Sequence, residues 1–78
     1  MENFLLSSAQ CNKTYTIASM CNNIDIKIKT RLLELGFFVS EKICVLKKSM
    51  AKEVFLIEIR GQVLTLRKQE AACVVING

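Results

Sequence analysis

Between Glu53 and Ile76 apolar and polar positions alternate along the chain. Phe55, Ile57 and Ile59 fall on one face of an extended segment, and Glu58 and Arg60 on the other. After Gly61 the return run Gln62–Arg67 places Leu64 and Leu66 on one face and Thr65 and Arg67 opposite. Two such runs broken at a single glycine predict a β-hairpin, with Gly61 taking the positive φ of a tight turn. Lys68–Ala72 has room for one helical turn, and Cys73–Ile76 reads as a closing strand.

Upstream, Lys13–Met20 alternates weakly, with Tyr15 and Ile17 on one side, and its β-branched and aromatic content predicts a first strand. The period then changes. Ile24, Ile28, Leu32 and Leu35 form one stripe of a helix, with Lys27, Arg31 and Glu34 opposite. Either Asn23 or Asp25 suits the N-cap, and Ile26–Lys29 is open between helix and strand. Gly36 is placed to end the helix in the left-handed region. Lys42–Lys48 predicts the second strand, with Ile43 and Val45 inward and Leu46 outward beside Lys47. Ser49–Lys52 is a loop. Five short strands with one helix between the first two predict a mainly β fold, a small SH3-like antiparallel barrel.

Residues 1–12 carry no sustained period. They resemble a lipoprotein signal ending at Cys11, but Glu2 stands where a basic segment belongs and the apolar core is too short. The expectation is a soluble, partly disordered leader before a domain of residues 13–78, in a cytoplasmic protein.

With 78 residues, 51% hydrophobic, 3 Gly and no Pro, the chain has one compact domain's composition. Its size argues against a deep catalytic cavity. It holds no His, no Gly-rich phosphate loop and no nucleophile beside a plausible base, so no enzyme and no cofactor are expected. Cys11, Cys21, Cys44 and Cys73 form no CxxC pair and are read as buried free thiols, not metal ligands or disulfide partners. Glu34, Glu53, Glu58 and Glu70 are read as solvated partners of nearby Lys or Arg.

The net charge of +4 is unevenly spread. Lys42, Lys47, Lys48, Lys52, Arg60, Arg67 and Lys68 crowd one stretch against Glu53 and Glu58 alone. With Leu46, Met50, Val54 and Leu56 among them, the second strand and hairpin offer an apolar patch ringed by lysines, suited to an acidic partner. The candidate partner-binding residues are therefore Leu46, Lys47, Lys48, Met50, Lys52, Val54 and Leu56. The competing reading has Val54 and Leu56 covered by the helix or the N-terminus.

Taken together, Arg31-Leu32-Leu33-Glu34-Leu35-Gly36-Phe37, Lys42–Leu46, Val54–Gly61, Leu64–Ala71 and Val74–Ile76 resemble the FeoA family in order and spacing. Departures are Ser40-Glu41 where Pro-Gly is common, a proline-free loop at Ser49–Lys52, and Thr65 where Ala is common. The resemblance implies an SH3-like barrel assisting bacterial ferrous iron uptake through protein–protein interaction with the cytoplasmic part of an FeoB-type membrane transporter. A small basic barrel that binds nucleic acid is the alternative. Its aromatics, Phe4, Tyr15, Phe37, Phe38 and Phe55, lie mostly outside the basic stretch or on core faces, unlike a base-stacking platform.

Overall fold

The computed structural model describes residues 2–21 and 23–78. The chain runs β1 (Asn3–Leu5), a 3-10 turn (Leu6–Ser8), β2 (Thr14–Met20), α1 (Ile26–Glu34), β3 (Lys42–Lys48), β4 (Val54–Ile59), β5 (Gln62–Arg67), α2 (Lys68–Ala71) and β6 (Val74–Asn77). The strands form one antiparallel sheet in the order β1-β6-β2-β3-β4-β5.

The expected five-stranded barrel is therefore corrected to a bent sheet of six strands that is not closed. The extra strand is β1, whose three residues are too few to show a period. It pairs with β6, Phe4 opposite Ile76. Just beyond it Leu6 and Ala9 are fully buried, and the Phe4 ring meets Tyr15 edge-on at 5.3 Å. The Gln10 N–H donates to the Tyr15 hydroxyl at 3.0 Å. Residues 3–10 thus hold sheet and core positions instead of trailing as a loose leader.

The inward rows expected from alternation, Tyr15 and Ile17, Ile43 and Val45, and Phe55, Ile57 and Ile59, are buried. Of the expected pair Leu64 and Leu66 only Leu66 is fully buried, with Leu64 packed against the core, and Val74 and Ile76 of β6 are buried as well. Leu32 of α1 joins them, with Ile24, Ile28 and Leu35 packed against the core from its edge. Asp25 is the N-cap, its carboxylate accepting from the Lys27 N–H at 2.7 Å. The helix C-terminus is a Schellman turn, in which the N–H of Phe37 donates to Leu32 O and that of Gly36 to Leu33 O. Gly36 has φ +96°, and a Cβ there would stand 2.9 Å from Arg60 Cδ. At the hairpin Arg60 and Gly61 both take positive φ, the geometry of a type I′ turn.

Two irregularities bend the sheet. The β2–β6 register shifts between Ile17 and Ser19, and the β3–β4 register between Val45 and Lys47. Such bulges increase twist and re-aim the side chains that follow.

Candidate functional site

The second bulge decides what the predicted patch looks like. Up to Val45 the inward side chains of β3 are the odd-numbered ones. Leu46 is then the extra residue, and Lys47 and Lys48 stand opposite Leu56 and Phe55. Lys48 is thereby carried to the core side, its ammonium 5.4 Å from the Phe55 ring centre and 3.4 Å from the Ser7 carbonyl it donates to. Lys47 stays outward, in a cross-strand row with Leu56 of β4 and Thr65 of β5.

That row and its neighbours form a shallow groove of about 390 Å³, lined by Lys47, Lys48, Ser49, Met50, Val54, Leu56 and Thr65. Five of the seven candidate residues meet there. Leu46 is half-buried at the bulge and Lys52 stands off the lining, so neither belongs to the groove. Val54 is not covered, being 43% exposed, Leu56 is half-buried in the groove lining, and Met50 at the loop tip is fully exposed. The loop is shaped by Ser49, whose hydroxyl accepts from the N–H groups of Glu53 (3.1 Å) and Val54 (3.2 Å). Arg67 stands opposite Val54 across the β4–β5 ladder, adding an exposed cation to this outer face. An apolar floor among cations can take an apolar side chain beside a carboxylate.

A second groove went unnoticed in the sequence. It is larger, about 450 Å³, and runs between α1, β2 and the turn after the helix. Ile17, Met20, Ile24, Leu33, Phe37 and Phe38 supply most of its apolar wall. Phe38 and Val39 are well exposed beside it. The turn that holds them is tied to β2 by Ser40 N–H to Ile17 O (2.8 Å) and Ile17 N–H to Glu41 O (2.9 Å). The guanidinium of Arg60 lies 6.0 Å from the Phe38 ring and 3.6 Å from Glu41. The only sequence signal for this groove was the apolar run Phe37-Phe38-Val39 continuing past the helix stop.

Glu70, expected to be solvated, is buried and fully engaged. One carboxylate oxygen accepts from the Arg67 N–H at 2.9 Å, and the other meets Arg31 at 2.7 Å. This joins α1 to α2. The residue three positions after an N-cap commonly reaches back in this way, so the Arg67…Glu70 spacing held the signal. The thiols, expected to be buried, are not: Cys21, Cys44 and Cys73 are only partly buried, and Cys11 is exposed. Burial pushes the Cys73 thiol above its ordinary value, helped by neighbouring Cys21, Asp25 and Glu70. Among the described residues no group of three or more Cys, Asp or Glu converges closely enough to hold a metal ion, and no helix is long and apolar enough to cross a membrane. Phe38 is the one exposed aromatic among them, and it lies away from the lysine-ringed groove.

A small, strongly bent antiparallel sheet carrying one amphipathic helix defines an SH3-like module, and solved structures repeat it. The zinc-bound FeoA of Stenotrophomonas maltophilia, described as a prokaryotic SH3 domain protein and suggested to activate ferrous iron transport, matches with TM-score 0.84 at 26% identity. That match covers 95% of this chain and 89% of the other. A FeoA-like protein from Clostridium acetobutylicum matches with TM-score 0.88 at 17% identity, over 99% and 87% of the two chains. A manganese-dependent transcriptional repressor in complex with manganese matches at 0.91 and 15% identity; this chain corresponds to only 37% of its length. No curated protein sequence matches significantly. The FeoA domain model matches residues 4–77. The chain belongs to the FeoA domain family, which is associated with ferrous iron transport.

Proposed function

We propose that this protein is a cytoplasmic accessory factor of ferrous iron uptake that works as a binding module, not an enzyme. Its partner is the cytoplasmic part of an FeoB-type membrane transporter, and iron is the transporter's cargo. The observation that carries the reading is the groove on the outer face of β3–β5. There Val54 and Met50 are exposed and Leu56, half-buried, shares the lining with Lys47, while the buried carboxylate of Glu70 is already paired. Exposed apolar side chains beside cations favour a partner segment with apolar and acidic residues.

Co-purification of the unaltered chain with the transporter's cytoplasmic part tests this directly. Retention that weakens with added salt is expected, because lysines contribute to the contact. Failure to retain the chain at low salt would remove the reading. Salt-dependent affinity for oligonucleotides at physiological ionic strength would favour the nucleic-acid alternative instead.

A further inference from the structure

Two of the four cysteines, 52 positions apart in sequence, are brought together where β2 ends and β6 begins. The Cys21 N–H donates to the Cys73 carbonyl at 3.0 Å, extending the β2–β6 ladder one step beyond Met20 and Val74. Residues opposed in this way in an antiparallel ladder stand about 4.5–5.5 Å apart at Cα. A disulfide requires roughly 4.4–6.8 Å. Both sulfurs also point to the same end of α2. The Cys21 Sγ donates to the Ala72 carbonyl and the Cys73 Sγ to that of Gln69, each at 3.3 Å. Neither side chain is sealed in the core, so a small reagent has access to both. The influence of Cys21 on the Cys73 thiol agrees with their proximity.

We propose that Cys21 and Cys73 are a reversible dithiol–disulfide pair, oxidised by a low-molecular-weight disulfide such as oxidised glutathione. One thiol, as its thiolate, attacks a glutathione sulfur. The glutathione S–S bond breaks, a protein–glutathione mixed disulfide forms, and the departing thiolate takes up the proton. The second cysteine thiolate then attacks the cysteine sulfur of that mixed disulfide and expels the second glutathione thiolate. The protein loses two hydrogens and two electrons, and the oxidised glutathione is reduced to two thiols. The new bond ties the end of β2 to the α2–β6 junction. Cys21 also lines the larger groove beside Met20 and Ile24, so oxidation fixes one wall of that groove.

The test uses the unaltered chain, incubated under native conditions with oxidised glutathione, alkylated and digested with trypsin. Cleavage after Lys13, Lys27, Lys42, Lys47 and Lys68 places each cysteine in a different peptide. The expected result is a fall from four titratable thiols to two and a linked pair Thr14–Lys27 with Gln69–Gly78, both reversed by dithiothreitol. The oxidised chain should also melt higher, by about 10 °C or more, because the bridge closes a long loop without displacing the ladder. Stable glutathione adducts with no linked peptides would overturn the proposal. So would linkage through Cys11 or Cys44, an unchanged thiol count, or a lowered melting temperature. A Cys11→Ser/Cys44→Ser variant, which keeps the pair, should still lose both remaining thiols.

Discussion

The groove on the outer face of β3–β5 and the groove beside α1 are built in different ways. The groove on β3–β5 lies on three paired strands just past the β3 bulge, its residues set by cross-strand register: Lys47 opposite Leu56, Leu56 opposite Thr65. The groove beside α1 is assembled from a bulged strand, a helix flank and a turn, reaching from Ile17 to Val39 in sequence. Its walls include the fully buried Phe37. The first groove can therefore change its chemistry with little effect on the fold, whereas the second is continuous with the core. A surface that varies cheaply suits recognition of a particular partner.

That contrast is open to direct attack. Phe37→Ala should cost about 3–5 kcal/mol and unfold a large fraction of a domain this small, as read by denaturant titration. Leu56→Ala, on the other groove, should cost clearly less than that; comparable losses would show that the two grooves are not energetically distinct. Glu70→Ala should cost about 2 kcal/mol, since it removes both the N–H acceptor of α2 and the link to the half-exposed Arg31. Glu70→Gln, which keeps an acceptor for the Arg67 N–H, should cost less. Gly36→Ala should cost about 1–3 kcal/mol, because φ +96° is strained for alanine and its Cβ meets Arg60. Smaller and opposite in sign is Ser40→Gly. Ser40 holds φ +77° in the turn beside the second groove, so glycine there should raise stability by about 1 kcal/mol.

The ladder was legible in the sequence because a period of two dictates both a strand and its faces. The hairpin, the inward row Phe55–Ile57–Ile59 and the stop at Gly36 all follow from local pattern. Local pattern does not announce a bulge, however. A single extra residue at Leu46 sends Lys48 inward over Phe55 and withdraws Leu46 from the patch, although the strand's bounds were right. The three residues of β1 were hidden for another reason: their order comes from pairing with β6 at the far end of the chain. The second groove combines both difficulties, a bulge in β2 and contacts between distant segments, and nothing in a linear reading joins Ile17 to Phe38.

The most direct test of the account is the affinity of this chain for the cytoplasmic part of an FeoB-type transporter, compared across two double variants. Lys47→Glu/Leu56→Asp alters the ladder groove, and Phe38→Asp/Val39→Asp alters the exposed rim of the other. The account predicts at least about a tenfold loss for the first pair and near-unchanged affinity for the second, with both variants folded. Full binding by the first pair together with loss by the second would contradict it.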